Sequence, residues 1–186
     1  MTLENRVAIV TGACGGIGQE VARVVRRGGA SVFLFDVEGA ALEALARGLG
    51  ERGAWTAGDV TVRKDVLRAV EACVRTFGKV DALVNVAGVF NVVPTKDLSE
   101  EEWDRVLDIN LKGTFLFCQA VLPHMLERRY GRIVNPDVMA KRAEANPMGR
   151  IALPEDIANA IHFLLQDESA YVSGQSIHVN GGLYSP

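Results

Sequence analysis

No stretch of this 186-residue chain is apolar for long enough to span a bilayer, and no basic excess marks it for nucleic acid or an anionic surface. The formal net charge is -3, from 20 Lys and Arg against 23 Asp and Glu, so neither sign dominates. The N-terminal MTLENRVAIVTG carries an acid at Glu4 and reaches Gly12 after too short an apolar run for a signal peptide, which points to a cytoplasmic protein. Cysteine is sparse: Cys14, Cys73 and Cys118 are odd in number and far apart, with neither a disulfide framework nor zinc-ligand spacing. His124, His162 and His178 are equally scattered, so no metal is expected. The remaining composition, 48% hydrophobic and 23% charged, is that of an ordinary globular protein, and the length suits a single domain over residues 1–186.

Short β-type runs alternate with helix-type runs: Val7–Val10, Ile17–Arg27, Ser31–Phe35, Ala40–Leu49, Trp55–Ala57, a helix near Lys64–Phe77, then Ala82–Val86. Strands separated by helices of this length predict βαβ units, an α/β doubly wound parallel sheet with helices on both faces. A long helix is expected from Glu100, with Ser99 as cap and Glu102 completing a capping box. Trp103, Val106, Leu107, Leu111, Phe117, Cys118, Val121, Leu122 and Met125 follow helical spacing and predict its buried face. Asn110 falls on that stripe, where an amide must be hydrogen-bonded, either as a structural anchor or as part of a site. Farther on, Leu153–Leu165 reads as a helix with Pro154 in its first turn beside Glu155 and Asp156. SIHVN reads as a last strand, ending at the turn signal Gly181-Gly182.

The sharpest motif is VAIVTGACGGIG, residues 7–18, where a buried strand runs through Thr11, Gly12, Ala13, Cys14, Gly15, Gly16, Ile17 and Gly18 into a helix. Glycines let such a turn approach a ligand closely, and the free N–H groups and helix dipole favour a pyrophosphate. Any tight strand-to-helix turn wants glycine, so the second strand matters: SVFLFD ends in Asp36, 18 residues after Gly18. A carboxylate there accepts from both adenosine ribose hydroxyls and repels a 2'-phosphate. Val37 follows it and no Arg or Lys lies within 11–18, which favours NAD over NADP.

With these pieces in place the chain resembles the short-chain dehydrogenase/reductase family. TG-x-x-x-G-x-G at 11–18, Asp36, DV at 59–60, NVAG at 85–88, N-x-x-G at 110–113, GRIVN at 131–135, PEDIA at 154–158 and GQSIHVNGG at 174–182 stand in family order. The resemblance implies a Rossmann fold and hydride transfer between NAD(H) and a secondary alcohol or ketone. It implies a cofactor site of Gly12, Cys14, Gly15, Gly16, Ile17, Gly18, Asp36, Asp59, Val60, Asn85, Ala87 and Gly88. In it Asp59 bonds the adenine amino group, Val60 offers backbone contact, and Asn85, Ala87 and Gly88 close over the ribose and pyrophosphate. Asn110 is implied to bend its helix and hold a water of the proton relay. Cys14 is implied to contribute backbone, not a nucleophile. A homo-oligomer, tetramer or dimer, is implied too, built on the long helix together with the family's helix that should follow GRIVN; a membrane or nucleic-acid partner is not. Val89, Phe90, Val92, Val93, Met139 and Met148 flank the expected cleft, though apolar loop residues more often pack on their own domain.

The family's catalytic Ser and its Tyr-x-x-x-Lys helix should follow GRIVN. None of Tyr130, Tyr171 and Tyr184 has a Lys four residues on, and Pro136 ends the strand at Asn135. A helix and a strand, at least the roughly 30 residues of a βαβ unit, are absent between 135 and 136. Either the sequence as written omits a segment, or the polypeptide is truly shortened. A shortened chain would leave its last strand without a neighbour and expose an open sheet edge. It would also turn the dehydrogenase reading into its alternative, an NAD-binding pseudoenzyme or interaction protein without turnover.

Overall fold

The computed structural model describes residues 2–136, 147–148 and 150–181. Five parallel strands form one sheet in the order β3-β2-β1-β4-β5, with β1 Val7–Thr11, β2 Ser31–Asp36, β3 Gly53–Ala57, β4 Ala82–Asn85 and β5 Arg132–Val134. Helices α1 Gly16–Arg27, α2 Gly39–Leu49, α3 Arg63–Phe77, α4 Glu100–Leu107, α5 Thr114–Arg128 and α6 Pro154–Leu164 cover it. The strands and helices of the first half lie within two residues of their expected positions, because each carries a strong local pattern. In β1 every residue is buried, as in a parallel strand covered on both faces.

Strand residues alternate between two cores. Ala8, Val10, Val32, Leu34, Ala82 and Val84 face α1, α2 and α6, whereas Val7, Ile9, Phe33, Phe35 and Leu83 face α3 and α5. On the second side Phe35 and Phe117 meet edge to face, 5.0 Å between centroids. On the first, Ala158, Ile161 and Leu165 seat α6 against Val21 and Val25 of α1. An ion pair brackets α6 at its start, where Arg150 Nη2 donates to Asp156 Oδ1 at 2.8 Å and the Leu153 N–H donates to Asp156 Oδ2 at 2.8 Å.

Three expectations fail here. The long helix is capped by Ser99, whose Oγ accepts from the Glu102 N–H at 3.2 Å, but a π turn over Asp108–Gly113 rotates the face between α4 and α5. Phe117, Val121 and Met125 are buried as expected, whereas Trp103, Leu107, Leu111, Leu122 and Asn110 are exposed. The extra residue of a π turn breaks a stripe extrapolated at 3.6 residues per turn. SIHVN forms no strand, because a β-strand exists only against a neighbour and no described strand lies beyond β5. The outer side of β5 therefore has no neighbouring strand among the described residues. Met139, Gly182 and Tyr184 lie outside the described residues.

Candidate functional site

The carboxyl ends of β1, β2 and β4 gather the motif residues. At the end of β1 the chain turns on Gly12, φ +61°, where a Cβ would stand 2.6 Å from the Ala87 nitrogen. At Gly18 a Cβ would collide with the Gly12 carbonyl oxygen. Both positions therefore require glycine, one for conformation and contact, the other for the close passage of α1 behind the turn. Gly15 and Gly16, exposed, open α1 with no side-chain cap and no acid in the first turn. Thus its first N–H groups and the positive end of its dipole are available to an anion.

Asp36 is wired to this turn. Its Oδ2 accepts from the Cys14 N–H at 2.9 Å and its Oδ1 from the Val37 N–H at 2.7 Å. A carboxylate offers about four lone-pair sites, so two remain after the backbone bonds, matching the two hydroxyls of a ribose. The Cys14 thiol is pushed up to about 11, first by burial, then by the Asp36 charge and hydrogen bond, then by Glu38. It stays a thiol at neutral pH and offers its backbone: its N–H goes to Asp36 and its C=O accepts from Gln19 Nε2 at 2.8 Å.

Across the sheet end, Thr11 Oγ1 accepts from the Ala87 N–H at 3.2 Å and so ties the β4 exit to the glycine turn. Asn85 is buried and turned toward the sheet, its Nδ2 donating to Asn135 Oδ1 at 2.7 Å, while its Oδ1 has no partner among the described residues. Asn135 was not singled out as a site residue; the signal was there, since each Asn ends one of two neighbouring strands. Asp59 Oδ1 accepts from both the N–H and the hydroxyl of Thr61 at 2.8 Å. Val60 is buried under Gly113, where a Cβ would come within 2.7 Å of Val60 Cγ2, so the π turn needs its glycine for packing.

Asn110 resolves as an anchor. Its Oδ1 accepts from the Val89 N–H and its Nδ2 donates to the Val89 carbonyl, both at 2.8 Å, while its own carbonyl accepts from Thr114 Oγ1 at 2.9 Å. The side-chain amide is thus spent on holding the loop after β4, and Gly88 passes beside it with a would-be Cβ 3.4 Å from Oδ1. Of the cleft residues, Phe90, Val92, Val93 and Met148 are exposed and Val89 is half-buried. No group of His, Cys, Asp or Glu able to hold a metal exists among the described residues, and none of their helices is long and apolar enough to cross a membrane.

Residues 6–148 match a family model described as short chain dehydrogenase, and residues 135–184 match one described as Enoyl-(Acyl carrier protein) reductase. The chain is 34% identical over 242 positions to D-threitol dehydrogenase of Mycolicibacterium smegmatis, covering 97% of this chain and 93% of that one. It is 30% identical over 248 positions to 2-(S)-hydroxypropyl-CoM dehydrogenase 3 of Xanthobacter autotrophicus, covering 97% of each. A solved short-chain dehydrogenase/reductase from Brucella melitensis matches at a TM-score of 0.90 and 28% identity, covering 100% of both chains.

Proposed function

Since the chain belongs to the short-chain dehydrogenase/reductase family, whose members are oxidoreductases that bind a nicotinamide cofactor, we propose that it binds NAD(H) in preference to NADP(H) and serves hydride transfer to or from a small secondary alcohol or ketone. The observation that carries the NAD preference is the Asp36 carboxylate, held by the Cys14 and Val37 N–H groups with two acceptor sites left over. A 2'-phosphate would meet a fixed negative charge there, with no Arg or Lys in the turn to offset it.

The residues present fit the cofactor. Gly12 and Gly18 let the turn close against Ala87 and α1, and the N–H groups of Gly16 and Ile17 at the uncapped start of α1 are placed to receive the pyrophosphate. Asp36 and Cys14 hold the adenosine ribose, Asp59 with Val60 borders the adenine, and Asn85, Ala87 and Gly88 shape the β4 side. The bound cofactor supplies the hydride acceptor or donor; the protein's part is position and proton path. Asn110 fixes the Val89 loop over that end through its side-chain amide.

A second reading is favoured by one observation: no Tyr-x-x-x-Lys occurs in the chain. An alignment of 248 positions on 186 residues leaves at least 62 positions without a residue here. We place that gap after Asn135, where the second family model begins. On this reading the chain binds NAD(H) and performs no turnover, because no phenol stands ready to take or give the substrate proton. The exposed stripe Trp103, Leu107, Leu111, Leu122 along α4 and α5 supports assembly with further copies. Fluorescence titration with NADH and NADPH tests binding, and oxidation of secondary alcohols with NAD tests turnover. Tight NADH binding with no turnover selects the second reading; failure to bind either cofactor refutes both.

A further inference from the structure

Among the described residues the chain holds two unmatched halves of a strand pair. One is β5. The Arg132 N–H donates to the Asp81 carbonyl at 3.0 Å, so Arg132 addresses β4. Alternate residues of a parallel strand turn their N–H and C=O to opposite neighbours, so those of Ile133 point to the outer edge, where no described residue meets them. Ile133 itself is 37% exposed.

The other half is Gln175–Val179. Ile177 and Val179 alternate with Ser176 and His178, a strand pattern, yet no backbone hydrogen bond joins these five residues to any described residue. Every residue from Tyr171 to His178 is exposed. The chain just ahead of this segment touches the start of β5, where the Arg132 guanidinium reaches the Ala170 carbonyl at 3.4 Å. It then bends at Gly174, φ +66°, and runs through Gln175–Val179 with no backbone partner among the described residues.

We propose that Gln175–Val179 of one copy pairs with the outer edge of β5 in a second copy, and reciprocally, forming a strand-exchanged dimer. The second copy is the occupant because the segment with the matching pattern and no neighbour belongs to this same chain. A two-fold exchange closes both open edges at once, buries Ile133 and Ile177, and needs only the Gly174 hinge to redirect an arm already tethered beside β5.

The test uses the full chain. Light scattering should give a mass that Ile177→Pro halves, since proline removes a ladder donor in a segment that is unpaired within its own protomer. Ile177→Val should keep the mass. An assembly held only by the α4–α5 stripe would respond to Leu111→Lys and ignore Ile177→Pro. In parallel, Ile133→Cys protein labelled with nitrogen-15 is refolded with unlabelled Ile177→Cys protein and oxidised. A peptide joining a labelled half to an unlabelled half is the expected product. A wild-type monomer at tens of micromolar, a mass unchanged by Ile177→Pro, or absence of the mixed peptide overturns the proposal.

Discussion

Replacing Asp36 by alanine strips the proposed cofactor site of the carboxylate at its ribose end. The carboxylate accepts from the Cys14 and Val37 N–H groups and, in the proposed binding mode, would accept from two ribose hydroxyls of NADH. Hydrogen bonds to a charged group contribute about 1.5–3 kcal/mol each, and the half-exposed position favours the low end. Two lost bonds therefore cost about 3 kcal/mol, or roughly a hundredfold in Kd for NADH. NADPH moves the other way, because the repulsion between carboxylate and 2'-phosphate, about 1–3 kcal/mol at close range in a wet site, disappears. The two dissociation constants should converge or cross in fluorescence titrations on wild type and variant. The same substitution has a second readout. Cys14, held up at about 11 partly by Asp36, should titrate lower while burial still keeps it above an ordinary thiol. A thiol whose pKa falls by one carries about ten times more thiolate, so alkylation of Cys14 near pH 8 should accelerate. Equal affinity of the wild type for both cofactors, or an unchanged NADH affinity in the variant, would refute the reasoning.

Gly12→Ala should cost about 2–4 kcal/mol of stability in urea unfolding, from left-handed backbone strain plus overpacking against Ala87, and should abolish NADH binding; a loss below 1 kcal/mol would show that the turn relaxes freely. Asn110→Ala frees the Val89 loop by removing both amide bonds, so protease cutting between 88 and 98 should speed up while α3 and α5 keep their hydrogen-exchange protection. Asp156 is held down at about 2 by Arg150 and the Leu153 N–H, and Asp167 is held below its ordinary value by Tyr130 first and then Arg6. A carboxylate lowered in the folded state stabilises above its unfolded pKa and loses that contribution as pH falls through the folded one. Exchange protection of α6 should accordingly fade between about pH 4 and 2, and Arg150→Ala should remove part of that dependence. Intact-mass measurement separates the two readings: 20.1 kDa would join Asn135 directly to Pro136 and leave NAD(H) binding without turnover, whereas a value several kilodaltons higher would restore the missing segment and the dehydrogenase reading with it.

The first half of the fold was legible because every element there carries its own local signal: an apolar run closed by glycine, or a 3.6-residue stripe with a cap. The glycine turn and Asp36 were legible for the same reason, as a spacing that physical chemistry reads directly. The face of α4 and α5 was not, since one π turn shifts the register of everything after it and leaves no mark in hydrophobicity. Its marks are indirect: Asn110 needs Val89, and Gly113 needs Val60, both distant in sequence. The Asn85–Asn135 pair spans 50 positions and is legible only once β4 and β5 are recognised as neighbours that end in these two residues. SIHVN failed differently. Its alternation is a true strand preference, but a strand is a relation between two segments, and the sequence beside it lacks the second.

That failure divides the molecule by function. Strands β3, β2, β1 and β4 end at or within two residues of a member of the proposed cofactor site, Asp59, Asp36, Gly12 and Asn85 in turn, and all but the edge strand β3, which α2 and α3 cover, have neighbours on both sides. The binding half is closed: its two cores meet around β1 and β2, and its polar ends are bonded to one another, Asp36 to the turn and Thr11 to Ala87. What is open lies on the far side, at β5 and beyond, where the chemistry of the substrate proton should have been. A parallel sheet shortened at that edge loses the groups that would act on substrate but none of the bonds that position the dinucleotide turn. On the second reading cofactor binding and turnover are therefore separable in this chain, and the open edge of β5 is the surface that the proposed pairing uses.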